Sequence, residues 1–430
     1  MSNISQVHKV IFENQKVKNP ELKVELKNFF NRFPDFEKYI TNAGTDIMVR
    51  NYVGVIGTKN YKIEILPKIW RKSQDEIINF NHLRDNFFIL FSYAFFRPPF
   101  FEPYLKLLEK KKIDNLRDFT LMLFSNTLFD ETRKGIYKNY VKEHATSKYL
   151  KGKLEVRKHI IRPNKSLFDV ETHNFNGDNK LNQIFEWSLE EFLKTSNDVR
   201  LRKQLLQMSG IFKSEYVKSL KYNDLTYSFN RINDRFEIPY NYACILLENK
   251  TAVSGGNKKE MMFLYDMNKI YEKFLFNFIY RNKLQIFGTN KVKLEYDKGH
   301  RNMLLDPLTN KKRFMTKPDI RLKLGHLTLI LDAKNKENDN QLINGIKRED
   351  LYQMHAYSHS YDADSILYYP SAAEDHDPIQ GPYRFHENSN HNLWVSTINL
   401  DFSGEKMEWE NRMIANLKED FDIVVNHLTK

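Results

Sequence analysis

Residues 315–336, MTKPDIRLKLGHLTLILDAKNK, set a Pro-Asp ahead of one strand-like run and an Asp-Ala-Lys at the end of the next. Ile320, Leu322 and Leu324 alternate with Arg321 and Lys323, and Gly325-His326 offers a two-residue turn with Gly first, the choice of a type II′ hairpin. Leu327 to Leu331 is continuously apolar, as expected of a central strand covered on both faces. Side chains on a strand repeat every two residues, so Asp332 and Lys334 project from one face, and antiparallel pairing about the turn sets Asp319 opposite them. Two carboxylates a few ångströms apart repel unless a cation lies between them, and hard oxygen ligands suit Mg²⁺, with Mn²⁺ as the alternative. The carbonyl of Ala333 completes the protein's share of ligands in this reading. Lys334 beside such an ion holds an attacking water and offsets charge on a phosphorane-like transition state, while the metal lowers the water's pKa. This is equipment for hydrolysing a phosphodiester. A hairpin that merely ends in solvated charges is the competing reading, and it leaves unexplained why two acids and a lysine terminate an apolar central strand.

The elements that must position these groups are legible on both sides. MNKIYEKFLFNFIY (267–280) repeats Ile270, Phe274 and Phe278 at helical spacing, with Tyr271 alongside. After the motif a helix is expected from about Arg348 to Ser360, then ILYYP (366–370) as a short strand closed by proline. Helix, strands, helix and strand in this order predict an α/β domain built on a mixed sheet, and the whole chain reads as α+β. Upstream, 51–69 alternates around Thr58-Lys59-Asn60 as a β-hairpin closed by Pro67. From Glu76 the pattern becomes helical, and Phe87–Phe101 reads as a buried helix ending at Pro98 and Pro99, too short to span a membrane. Further helices are expected over about Leu116–Leu128 and Leu181–Leu193, and short strands over Leu150–Val156 and Ser166–Thr172. The Gly-Gly loop from Thr251 to Lys259 marks the best boundary, giving a β-rich segment over 1–75, a mainly helical region over 76–258 and a last domain over 259–430.

With 430 residues, 41% of them hydrophobic and 28% charged, the chain reads as globular and multidomain. A net charge of +12 favours a polyanionic partner, nucleic acid being the commonest, with a merely solvated lysine-rich surface as the competing reading. One cysteine, Cys244, allows no internal disulfide and no cysteine-type zinc site, and the amino terminus shows no apolar signal region. A cytoplasmic setting without a membrane is the expectation. His355 and His359 stand four apart but lack the glutamate of an HExxH site, so zinc there is disfavoured. His300, Arg301, Lys311, Lys312 and Arg313 are either phosphate contacts or a solvated basic loop.

The order Pro-Asp, hairpin, Asp-Ala-Lys resembles the PD-(D/E)xK nuclease superfamily, whose core is a mixed sheet flanked by helices. That resemblance gives Glu272, on the preceding helix, the role of an auxiliary metal or water ligand. It gives Gln353, on one face of the following helix with Asp350 and Tyr357, an active-site position. Across most of the chain the sequence looks like the McrC family, the nuclease subunits of McrBC-type modification-dependent restriction systems. Val53-Gly54-Val55, Ile65–Ile69, Lys134–Tyr137, Leu150–Leu154, Asp178–Asn182 and Met267–Phe274 are the segments that carry the likeness. Asn335 departs from it, since an aromatic often follows Asp-Ala-Lys there, and as a strand neighbour it is expected to face away from the site. The resemblance implies a Mg²⁺-dependent endonuclease subunit acting on double-stranded DNA, whose amino-terminal part is seated in the ring of a hexameric McrB-like AAA+ GTPase and stimulates its GTP hydrolysis, with room for self-association through the nuclease domain. No G-x-x-x-x-G-K-[ST] occurs, so nucleotide hydrolysis is assigned to the partner. The rivals are a stand-alone repair or recombination nuclease, and an adaptor that activates the motor with an inert fold.

Overall fold

The computed structural model describes residues 7–32, 39–43, 46–71, 79–95, 116–196, 198–212, 225–248, 261–298, 300–309, 311–336, 345–372, 378–387 and 389–429. In chain order they form β1 (Val7–Phe12), α1 (Pro20–Arg32), β2 (Ile40–Ala43), β3 (Asp46–Val49), β4 (Tyr52–Gly57), β5 (Tyr61–Leu66), α2 (Phe80–Phe95) and α3 (Leu116–Arg133). Then follow β6 (Asn139–Ser147), β7 (Lys153–Leu154), α4 (Val156–Ile161), β8 (Phe168–Asn176), α5 (Lys180–Thr195), α6 (Val199–Phe212) and α7 (Glu237–Glu248). The remainder is β9 (Met261–Asp266), α8 (Met267–Phe287), β10 (Lys293–Tyr296), β11 (Arg301–Leu305), β12 (Lys312–Thr316), β13 (Ile320–Leu324), β14 (Leu327–Ala333), α9 (Arg348–Tyr361), β15 (Asp364–Ser371), β16 (Gln380–Arg384), β17 (Asn392–Asn399) and α10 (Lys406–Leu428). No described helix is long and apolar enough to cross a membrane.

Two compact units share the chain: Met1–Leu116 with Lys259–Lys430, and Arg117–Lys258. This grouping differs from the three-piece division of the sequence at 1–75, 76–258 and 259–430. The boundary near 258 coincides, but the amino-terminal segment belongs with the last one. The physical reason is β9, which pairs antiparallel with β4 from Tyr52↔Asp266 to Gly57↔Met261 and completes a sheet of order β1-β5-β4-β9. Helix α2 adds to the same unit: Arg84 grips Glu64 of β5 through two hydrogen bonds, Asn277 of α8 donates to the Ala94 carbonyl, and Tyr93 donates to Glu410 of α10. The expected helix over Phe87–Phe101 is met as far as Phe95; residues 96–101 lie outside those described.

The second sheet of this unit runs β10-β13-β14-β15-β17-β16 and is mixed. β13 and β14 are antiparallel, with Ile320↔Leu331 and Leu324↔Leu327, while β15 lies parallel to β14 and β17 parallel to β15. The turn is as expected: Gly325 takes φ 60, and His326 is not among the positive-φ residues, which is the type II′ pattern. β14 is central and its last five residues are buried, which is why its sequence does not alternate. Parallel β14 and β15 need a crossover, and α9 supplies it, burying Met354, Tyr357 and Tyr361 against Ile330, Leu367 and Val395.

The Arg117–Lys258 unit holds a β6-β8-β7 sheet and helices α3, α5, α6 and α7. Two of the family-like segments meet in it: Asn179 caps α5, and Asn179 and Asn182 both donate to the Tyr137 carbonyl, at 3.1 and 2.7 Å.

Candidate functional site

Hairpin register builds the centre. Ile320 pairs with Leu331, so one step outward Asp319 comes beside Asp332, at the carboxyl end of a parallel-sheet strand where open α/β sheets form their crevices. The Ala333 amide donates to Asp319 Oδ2 at 2.9 Å. Asp332 is wholly buried; Lys334 Nζ lies 2.5 Å from its Oδ2, and its Oδ1 accepts no hydrogen bond. Glu272 reaches the same place from α8, whose start is fixed by Asp266 accepting from Asn268 N–H at 2.9 Å. Thus the sequence-derived acids and lysine converge.

Their electrostatics record the crowding. Burial, then the neighbouring Asp332 and Glu272 charges, push the Asp319 carboxyl well above its ordinary range. Glu272 is pushed up to about 7, first by burial and then by Asp332 and Asp266. Burial alone would lower the Lys334 ammonium, but Asp332 and Asp319 outweigh it and leave it raised. The protein has therefore gathered more negative charge than one lysine balances. A buried carboxylate oxygen without a donor, beside two acids whose pKa values burial and mutual repulsion raise, is the environment a divalent cation with hard oxygen ligands would relieve. The residues fit such an ion.

Of these groups Glu272 and Lys334 line a cleft of roughly 540 Å³, and Asp319 and Asp332 lie behind its wall. Glu272 and Asn268 of α8, the chain from Ala333 to Lys336, and Glu349, Asp350 and Gln353 of α9 line it. Gln353 Nε2 donates to the Tyr357 hydroxyl at 2.7 Å, and that hydroxyl donates to the Lys317 carbonyl at 2.8 Å. Asp350 is not free in the cleft, because Lys336 Nζ bonds both its oxygens at 2.6 and 2.7 Å.

The remaining wall was invisible to sequence reading. Asn14, Asn51 and Lys68 of the amino-terminal segment line the cleft. Lys68 Nζ donates to the Asn335 carbonyl at 2.8 Å, and wholly buried Glu13 accepts from Asn335 Nδ2 at 3.2 Å. Asn335 is buried and pinned across 322 residues of sequence; an aromatic there would displace that bond. No local signal marks Glu13, which sits in the turn after β1 and whose partner is distant in sequence.

Other sequence candidates fall elsewhere. His355 and His359 are exposed on α9, with the His355 ring against Phe385 and His386. Among the described residues the one trio of metal-type ligands within 4.8 Å of each other is His144, Glu155 and Glu171, in the other unit, where Glu155 and Glu171 already hold Lys158 and Lys142. Of the basic residues before the motif, Arg301 lies on β11 and Lys312 and Arg313 on β12, with His300 and Lys311 immediately before those strands.

The chain matches the family described as "McrBC 5-methylcytosine restriction system component" over residues 47–370. It belongs to that McrBC family. No curated protein matches it. Among solved structures, a McrC-containing half-complex of Thermococcus gammatolerans McrB AAA+ hexamers superposes with TM-score 0.59 at 20% identity, over 97% of this chain and 100% of that one. At that identity the likeness concerns the fold. A chain of the cryo-EM structure of the Thermococcus gammatolerans McrBC complex gives TM-score 0.48 at 23% identity, over 64% of this chain and 88% of that one. The McrBC match spans both the amino-terminal wall of the cleft from residue 47 onward and the hairpin with its following strand.

Proposed function

We propose that this McrBC family member is the nuclease subunit of a restriction complex: a Mg²⁺-dependent endonuclease of PD-(D/E)xK type, with Mn²⁺ as substitute, that cuts double-stranded DNA delivered by a hexameric McrB-like AAA+ GTPase. The observation that carries the reading is Asp332 Oδ1, buried and without a hydrogen bond, beside Asp319 and Glu272. Asp319, Asp332 and the Ala333 carbonyl would hold the cation, with Glu272 as an auxiliary ligand. When bound, the ion would acidify the attacking water and draw charge from the scissile phosphate. Lys334 keeps a fixed positive charge where the transition state gains negative charge. Gln353, braced by Tyr357, orients the water or phosphate from the opposite wall. Lys68, Lys334, Lys336 and Lys347 along one cleft supply the cationic lining that a phosphodiester needs. The partner assignment is supported by the neighbour, a chain of an assembly described as McrB AAA+ hexamers with bound McrC, and this chain covers the whole of that one. It is also supported by the absence of a P-loop in the sequence.

The test combines two readouts. Calorimetry with Mn²⁺ should show binding to the wild-type chain that Asp332→Ala removes, and no binding would sink the metal site. Cleavage of duplex DNA should require the partner, GTP and Mg²⁺. Cutting by the chain alone, indifferent to any motor, would favour a stand-alone nuclease; stimulation of the motor with no cutting under any condition would leave an adaptor.

A further inference from the structure

Between β10 and the Asp319 hairpin the chain makes an excursion that the proposed chemistry does not use. β11 and β12 form a two-stranded sheet of their own, paired from Arg301↔Thr316 to Leu305↔Lys312. Apart from half-buried Asp306, the side chains described from Arg301 to Met315 are exposed. A two-stranded ribbon that is exposed beyond its base is marginal in water, and its open edges need charge or a covering partner. Lys311, Lys312 and Arg313 follow one another on it, with no acidic partner among the described residues. Its single acid, Asp306, is occupied closing the tip: Oδ1 accepts from the Leu308 and Thr309 amides, and Oδ2 from the Thr309 hydroxyl at 2.6 Å. Apolar groups are interleaved with the cations. Leu308 is 95% exposed and Phe314 70%, and Phe314 holds φ 54, a backbone conformation bulky residues rarely adopt.

The ribbon's base is fixed to α9. Arg301 N–H donates to the Tyr361 hydroxyl at 3.1 Å, which donates to the Thr316 carbonyl at 3.2 Å, and Arg301 Nη1 donates to the Ser360 carbonyl at 2.6 Å. Tyr357 ties the Lys317 carbonyl to Gln353 of the cleft wall. From Gln353 to Tyr361 along a helix is about 12 Å. That distance corresponds to only about 3–4 base pairs of duplex at about 3.4 Å per pair.

We propose that β11–β12 is a docking ribbon for duplex DNA: Lys311, Lys312 and Arg313 sit on backbone phosphates, and Leu308 and Phe314 lie in a groove a few base pairs from the scissile bond. The identity of the substrate rests on the nuclease reading; the ribbon's role is tested separately. A two-stranded ribbon fits the major groove, and apolar tips in grooves are a recurrent means of holding DNA. A second copy of this chain is the poorer occupant, because its own net charge of +12 would face the same run of cations.

The experiment is anisotropy of a fluorescent 30-base-pair duplex with the full-length chain in EDTA, where no cleavage interferes, across a salt series. Lys311→Ala/Lys312→Ala/Arg313→Ala should weaken binding at least tenfold and reduce the log–log salt slope by about 2.7, roughly 0.9 for each phosphate no longer neutralised. Leu308→Ser/Phe314→Ser should weaken binding with the slope retained. These side chains are exposed, so the melting profile should not move. Wild-type affinity and slope in the triple variant, or no duplex binding by the wild-type chain, would overturn the proposal. So would loss of self-association on sedimentation with DNA binding unchanged. If the ribbon variants lose DNA while the wild type cuts nothing with partner, GTP and Mg²⁺, the nuclease reading falls and the ribbon stands.

Discussion

Asp332 contributes a charge that the fold does little to satisfy, and Lys334 is the cation nearest to it, at 2.5 Å. Asp332→Ala should abolish cleavage while leaving circular dichroism and partner binding intact, because it removes a proposed ligand at a strand end and none of the apolar core. Lys334→Ala should slow turnover by about 10²–10³-fold, the usual cost of one electrostatic stabiliser, with Mn²⁺ affinity nearly kept. Normal turnover on bound DNA with lost DNA affinity would make Lys334 an anchor instead. The acids also set a pH response. Glu272 is raised from 4.5 to about 7 in the folded chain by burial and by Asp332, so the native state binds its proton more tightly than the unfolded state. Its contribution to stability is therefore full below about pH 4.5 and is lost as pH rises through about 7. In EDTA the melting temperature should fall across that window, and saturating Mn²⁺ should restore it at the alkaline end, where the carboxylates are ionised. A melting temperature flat from pH 5 to 8 in EDTA would contradict this.

At the scale of elements, β9 decides how the site is held. It pairs with β4, and its last residue, Asp266, caps the helix that carries Glu272. The approach is close at Gly54, which has φ 138 and whose Cβ would stand 2.1 Å from the Phe263 carbonyl oxygen. Gly54→Ala should push β4 and β9 apart and cost roughly 1–3 kcal/mol or more, the scale of forced strain. Thermal unfolding would measure it, and Mn²⁺ titration should show weakened binding although Gly54 touches no ligand. An unchanged melting temperature would mean that the sheet absorbs the clash.

At the scale of the molecule, the boundary near residue 258 separates stretches of sequence and not independent folds. Cutting there leaves β4 without β9, and α2 without its bonds to α8 and α10. A fragment of residues 1–258 should therefore aggregate or melt without cooperativity, whereas residues 117–258 alone should unfold cooperatively, as one compact unit. Size-exclusion chromatography and thermal melts would decide, and a well-folded 1–258 fragment would refute the pairing argument. The contact of the amino-terminal part with a motor partner, which the family resemblance implies and which the sequence division places in residues 1–75, is better tested by surface substitution in the whole chain.

Features that depend on neighbours within one or two elements are legible in the order of residues alone. The Pro-Asp to Asp-Ala-Lys hairpin, its Gly-first turn, the apolar central strand and the helices on either side all follow from periodicity and turn chemistry, which are local. That order also supplied Asp319, Asp332 and Lys334, because strand pairing about a two-residue turn admits one register, whereas Glu272 came through the family resemblance. Long-range packing alone sets Glu13 and Lys68 to hold the chain just past Lys334, brings β9 to the amino-terminal sheet, and leaves β11–β12 as a separate sheet joined to α9 at its base. Those pairings join residues tens to hundreds of positions apart, and what selects them is the burial of whole surfaces against one another, which no short window of sequence contains.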